Sequence, residues 1–293
     1  MRQPLIVLAI ALFVVVGLLA ANTARNAVGW QPVLHSPIER ERMLAGSWRV
    51  LRPSTPGPHR AAILLSGCDG VHDNMDYWAQ IMRAQGRAVI IVDSHAPRRL
   101  SRAQAWRAVC AGQILPGAER AGDLAVALWA LRYMPGIDPS EVLVLGASHG
   151  GWSAMELMAR LPNDTPPPGL TEWPAPPETL AAQIGPVILL YPYCGLISGA
   201  GAGPWPKGPR GLMILAEHDR IIDTDACRAM ADSLREMGVP LKTVVLPGTD
   251  HGFDQRQRST LSPLEFDLRA RNRATMLVED FLQDFASPRP AGI

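Results

Sequence analysis

The sequence Gly146-Ala-Ser-His-Gly150, with Gly151 behind it, follows the apolar run Val142–Leu145 and precedes a helix-compatible stretch through Trp152, Met155, Leu157 and Met158. A Gly-x-Ser-x-Gly pattern at a strand-to-helix turn holds its hydroxyl above a sheet, at the amino end of a helix, ready to act as a nucleophile. An incidental turn gives the same five letters, so the chemistry also needs a base. His251 is the best placed of the seven histidines: it lies in Gly248-Thr-Asp-His-Gly-Phe253, just past the run Thr243–Leu246. That base needs a carboxylate to fix its tautomer and stabilise its charged form. Asp219 follows the run Leu212–Leu215 through Ala216-Glu-His218; Glu217, Asp223, Asp225 and Asp250 are neighbours that fit a strand end less well.

The chain order Ser148, Asp219, His251 is that of the α/β-hydrolases, with each member after a different apolar run. A tetrahedral intermediate also needs amide donors. The expected ones are the backbone N–H of His149 and that of Cys68 in Ser66-Gly-Cys-Asp-Gly70, with Asp69 as the alternative to Cys68. These groups would support acyl transfer through a covalent intermediate. Hydrolysis of a small carboxylic ester is the leading expectation; amide hydrolysis, acyl transfer and ligand binding without turnover are the alternatives. No cofactor and no metal is expected: His72, Asp73 and Asp76 near Asp69 read as pocket-edge polarity or helix capping. His95, Trp152 and Tyr193 adjoin the same strand ends and are candidate pocket contributors.

The elements that would position these groups are legible as short apolar runs separated by helical periodicity. Ala61–Leu65, Ala88–Val92, Val142–Leu145, Val187–Leu190, Leu212–Leu215 and Thr243–Leu246 are apolar at nearly every position, as expected for parallel strands covered on both faces. Ser47–Arg52 is a candidate edge strand. Helices are expected over Asp76–Gln85, Arg120–Met134, Thr224–Met237 and Arg273–Phe285, each spaced for one apolar face. The fold class is therefore α/β, a mostly parallel central sheet with helices on both faces. Pro162–Pro177 holds seven prolines and reads as a surface insertion, either overhanging the site with Trp173 as a wall or lying apart from it.

The 293 residues are 47% hydrophobic and 19% charged, with 28 Lys and Arg against 27 Asp and Glu. That balance argues against a nucleic-acid partner; Arg98, Arg99, Arg102 and Arg107 read as a solvated helix face. Leu5–Ala21 is an uncharged apolar run behind Arg2, with no clean small-x-small cleavage site after it. It is expected to be an uncleaved membrane anchor, with a cleaved signal peptide as the alternative. The domain plan is 1–25 anchor or signal, 26–44 linker or entry arm, 45–287 one catalytic domain with the insertion at 162–177, and 288–293 tail. The main body is expected in the periplasm, held at a bacterial inner membrane or free if the signal is cleaved. Cys68, Cys110, Cys194 and Cys227 allow three complete pairings; Cys194 and Cys227, each just beyond a strand, are a plausible pair.

From about Ala61 to Phe285 the chain resembles the dienelactone hydrolase family. The resemblance is carried by Ser66-Gly-Cys-Asp-Gly70, Val92-Asp-Ser-His-Ala-Pro-Arg98, Gly146-Ala-Ser-His-Gly-Gly151, Tyr191-Pro-Tyr-Cys194, Glu217–Cys227 and Leu246–Asp254. It implies an α/β-hydrolase fold, a nucleophile, acid and base at Ser148, Asp219 and His251, and an oxyanion turn at Gly67–Cys68. The family's namesake enzymes use cysteine as nucleophile, so Ser148 points to a general acyl hydrolase rather than to dienelactones. Ser66 and Asp69 also depart from the frequent histidine and glycine of that turn.

Overall fold

The computed structural model describes residues 2–163, 165–258 and 262–286. The expected tail at 288–293 and Asp164 of the insertion lie outside them. Seven strands form one sheet: β1 (Arg49–Leu51), β2 (His59–Leu65), β3 (Ala88–Val92), β4 (Ile137–Ala147), β5 (Ile184–Leu190), β6 (Arg210–Ala216) and β7 (Leu241–Leu246). Their order is β1-β3-β2-β4-β5-β6-β7. Only β1 runs antiparallel, pairing Arg49 with Ile91 and Leu51 with Val89 at the edge.

The helices are α1 (Arg2–Ala27), α2 (Pro37–Leu44), α3 (Asp73–Ala84), α4 (Arg102–Gln104), α5 (Gly117–Ala130), α6 (His149–Arg160), α7 (Pro177–Gln183), α8 (Thr224–Glu236) and α9 (Leu268–Ala286). Alternate residues of β2 face opposite layers, the period-2 geometry of a strand. Ala61, Ile63 and Leu65 join Leu124, Leu128, Met155, Ala231 and Leu234 of α5, α6 and α8. Ala62 and Leu64 join Met75, Trp78 and Met82 of α3 and Ala274 and Val278 of α9. Burial on both faces explains why these strands read as continuous apolar runs.

Within residues 26–44, expected as a linker or entry arm, Asn26, Pro37, Arg40 and Leu44 are buried and most of the rest are exposed. Asn26 closes the docked end of α1, and Ser36 caps α2 through a reciprocal box with Glu39. Arg40 is buried and donates to Asp123 Oδ1 (2.8 Å) and to the Gly169 carbonyl (2.8 Å). Arg98 was expected on a solvated face; instead its guanidinium grips the same Asp123 carboxylate at 2.8 and 2.9 Å. A fully buried carboxylate needs such partners. Arg40 and Arg98 together hold the Asp123 carboxyl well below the usual carboxylate range, although burial alone would raise it. Arg99, Arg102 and Arg107 are exposed.

The insertion lies along this arm. A parallel bridge joins His35 to Leu170, and Leu170 and Pro167 lie within 3.5 Å of where a side chain on Gly122 of α5 would sit.

Candidate active site

Ser148 stands between β4 and α6 with φ 52° and ψ −115°, a left-handed conformation that costs a non-glycine residue on the order of 1–3 kcal/mol. The surrounding glycines make that turn possible by close approach. A Cβ on Gly146 would meet the Gly150 carbonyl oxygen at 2.4 Å, and one on Gly150 would meet the Leu65 oxygen at 2.2 Å. Any larger residue would push the serine turn off β2.

The structure brings Ser148, Asp219 and His251 together. His251 Nδ1 lies 2.7 Å from Asp219 Oδ2, and Nε2 lies 2.9 Å from Ser148 Oγ. With Nδ1 as the donor to Asp219, Nε2 is left to accept the Ser148 hydroxyl proton. The other Asp219 oxygen accepts the backbone N–H groups of Ile221 and Ile222 at 2.9 and 2.8 Å, which fixes the carboxylate plane. Asp250, a competing acid in the sequence, instead accepts from Arg220 at the surface and from the His251 amide. The His251 ring packs edge-on against Tyr191, centroids 4.7 Å apart. Tyr191 in turn donates its hydroxyl to the buried Asp254, which also accepts from Trp78 Nε1 at 2.6 Å. Burial raises the Asp254 carboxyl above its ordinary value despite these donors.

The Ser66–Gly70 turn lies against the serine: a Cβ on Gly67 would stand 3.9 Å from Ser148 Cβ. Among the described residues, the backbone N–H groups of Cys68 and His149 donate to no protein acceptor. The turn is braced from three sides. Cys68 is disulfide-bonded to Cys110. The His95 ring nitrogen Nε2 donates to the Cys68 carbonyl at 2.9 Å; burial and the nearby Arg120 charge hold its pKa down at about 4, so the ring is neutral. His95 therefore sits behind the turn rather than lining the pocket, as was expected of it. Asp69, whose side chain is buried, stands 3.0 Å from His72 Nε2 and accepts from Gln255 Nε2 at 3.2 Å. Burial pushes its carboxyl up, and these two partners outweigh that and hold it below its ordinary value.

Sequence reasoning missed Arg120. Its side chain, fully buried on α5, donates to the Ser66 carbonyl (2.6 Å), Ser66 Oγ (3.1 Å) and Ser94 Oγ (3.0 Å), and lies 3.3 Å from His149 Nδ1. Burial lowers its pKa to about 10, which still leaves it cationic at neutral pH. The same cation, together with burial, keeps the His149 ring well below its ordinary pKa and hence neutral. Charged residues, Glu119, Arg120 and Asp123, in the otherwise apolar stretch of α5 were the available signal.

Over the serine opens a cavity of about 440 Å³, lined by Trp106, Val109, Trp152, Tyr193, Ile197 and Leu264 among others. Trp152 and Tyr193 line it as expected, whereas no described residue of the Pro-rich insertion is among its lining. Glu156 accepts from Trp152 Nε1 at 2.8 Å and from the Gly199 amide at 2.6 Å, fixing the indole as a wall. The second disulfide joins Cys194 and Cys227, the pair the sequence favoured. Among the described residues no cluster of three or more His, Cys, Asp or Glu side chains suits a metal ion.

No family model and no curated protein matches the chain. Solved structures do. A dienelactone hydrolase-like promiscuous phosphotriesterase from metagenomic libraries superposes with a TM-score of 0.64 at 16% identity, over 81% of this chain and 92% of that one. Esterase 2 of Thermogutta terrifontis, phosphonylated by cyclosarin, superposes with a TM-score of 0.61 at 17% identity, over 83% and 90%. The fold is that of the α/β-hydrolases. The same Thermogutta esterase with butyrate bound gives 0.58 at 16% identity, over 84% and 91%. Ser148, Asp219 and His251 follow the carboxyl ends of β4, β6 and β7, the edge of the sheet that open α/β folds use for ligands in general.

Proposed function

We propose that the chain is a serine hydrolase that cleaves a carboxylic ester through an acyl-enzyme. The observation that carries this reading is the Asp219–His251–Ser148 relay, at 2.7 and 2.9 Å, at the base of the cavity. His251 Nε2 takes the hydroxyl proton as Ser148 Oγ attacks the acyl carbon, and Asp219 stabilises the imidazolium that forms. The amides of Cys68 and His149, which donate to no protein acceptor among the described residues, supply the donors for the developing oxyanion. His251 then protonates the departing alcohol, and the ester C–O bond breaks. Water, giving its proton to the same nitrogen, attacks the acyl-serine and releases the acid with Ser148 restored.

The two disulfides suit an oxidising compartment. Leu5–Ala27 is long enough to cross a membrane, and its apolar 18-residue window has a mean hydropathy of 2.8 and no buried residue. We read it as an anchor, with the catalytic body on the periplasmic side of a bacterial inner membrane.

The test is turnover of short and medium acyl esters by the full chain and by Ser148→Ala. The reading expects hydrolysis by the first and background turnover by the second. Equal turnover by both removes Ser148 from the mechanism.

A further inference from the structure

From Leu5 to Ala21 every residue of α1 is exposed; at Asn22 the helix meets the body, and what it meets is the pocket wall. Asn22 Nδ2 donates to the Gln113 carbonyl at 2.6 Å, and Asn26 Nδ2 donates to the Gly112 carbonyl at 2.9 Å. Gln113 Nε2 returns a bond to Thr23 Oγ1 at 2.9 Å. Gly112 itself lines the cavity, and so does Cys110, whose disulfide reaches the Ser66–Gly70 turn. The helix is therefore bonded, through a few residues, to the turn beside the nucleophile.

The geometry sets the depth of that wall. Asn26 is five residues past Ala21, about 8 Å along a helix axis, which is roughly the thickness of one headgroup layer. The surface around the docking loop suits such a layer. Ile114 is 37% exposed and Leu196 wholly exposed. Ile197, next in the chain, reaches within 3.0 Å of where a Cβ on Gly112 would lie. Exposed Arg99, Arg102 and Arg107 come just before this loop, and Arg25 stacks over Trp30 at 5.7 Å. Basic and aromatic side chains beside an apolar helix are the groups that favour the membrane interface and its anionic lipids.

We infer that α1 seats the pocket mouth in the headgroup layer, and that the substrate is an amphiphilic ester drawn from the bilayer. Its apolar acyl chain would enter between Trp106, Val109 and Ile197. This inference rests on the serine-hydrolase and anchor readings above and adds the substrate class to them.

The full chain is reconstituted in vesicles of phosphatidylcholine with a minor fraction of phosphatidylglycerol. Its turnover of bilayer-dissolved p-nitrophenyl palmitate is compared with that of water-soluble p-nitrophenyl acetate. Asn22→Ala/Asn26→Ala undocks the loop, and Leu196→Asp places a charge on the exposed rim. Each variant should lose palmitate turnover by about tenfold, as expected from loss of the asparagine hydrogen bonds to Gly112 and Gln113 or burial of one charge. Acetate turnover, which also reports a folded site, should stay within about twofold. An unchanged palmitate-to-acetate ratio in both variants overturns the inference while leaving the hydrolase reading intact. Absence of turnover with either ester, or Ser148→Ala as active as the parent, overturns the hydrolase reading and this inference with it.

Discussion

Arg120 is the buried cation beneath the Ser66–Gly70 turn, and Arg120→Met tests what it does there. Among the described residues no carboxylate touches its guanidinium; its donors go to Ser66 O, Ser66 Oγ and Ser94 Oγ, all fully buried. The methionine roughly fills the stem but leaves the Ser66 carbonyl unpaired, at about 1–3 kcal/mol, and loses two hydroxyl contacts worth about 1 kcal/mol each. Relief from burying an unpaired charge offsets part of that. A net loss of roughly 2–3 kcal/mol lowers the melting temperature by about 4–12 °C for a chain of this size. The larger effect is on the reaction. A turn misplaced by about 1 Å costs on the order of a hundredfold in rate, and donors that miss the oxyanion lower kcat rather than binding. Steady-state kinetics should therefore show kcat down by about a hundredfold with KM within about threefold. Arg120→Lys keeps the charge but cannot donate in the fixed fork that reaches both Ser66 oxygens, so it should not restore kcat. A folded Arg120→Met protein with kcat within about twofold of the parent would refute the reasoning.

Three further outcomes follow from the same geometry. Asp219→Asn should cost about 10⁴-fold in kcat by turning His251 to the wrong tautomer; a loss under about tenfold would show that another acid serves. The Asp123 carboxyl is held low by Arg98 and Arg40 against the effect of burial. Its contribution is thus complete above the unfolded carboxylate range, near pH 4, and is lost as pH falls further. Asp123→Asn should cost about 3–5 kcal/mol at neutral pH and flatten the acid limb of a urea-denaturation series; an unchanged limb contradicts this. Reduction of the disulfides, which span 42 and 33 residues, should remove about 3–4 kcal/mol for each bridge. Equal urea midpoints with and without reductant would show that the bridges do not stabilise the fold.

What could be read from the sequence was what leaves a local or periodic trace. The strands were visible because β2, β3 and β5 are buried on both faces and carry apolar residues almost without interruption. The serine turn was visible because backbone crowding demands glycine at Gly146 and Gly150. Asp219 and His251 followed from their place after successive strands. The groups that support these three left no such trace. Arg120 bonds to Ser66 across 54 residues, and Arg40 to Asp123 across 83; neither spacing has a period. Asn26 reaches Gly112 across 86 residues, so the docked end of α1 was hidden within what looked like the start of a linker. His95 was assigned to the pocket from its position after a strand, but the ring turns under the Cys68 carbonyl instead.

The central claim is that the Ser148 hydroxyl is made nucleophilic by the His251 ring 2.9 Å away. Labelling the oxidised, full-length protein with a fluorophosphonate and mapping the adduct by mass spectrometry tests it most directly. One adduct, on Ser148, with labelling abolished in Ser148→Ala and strongly slowed in His251→Gln, is the result expected. A folded protein that takes no label, or carries it on a different serine, would contradict the account.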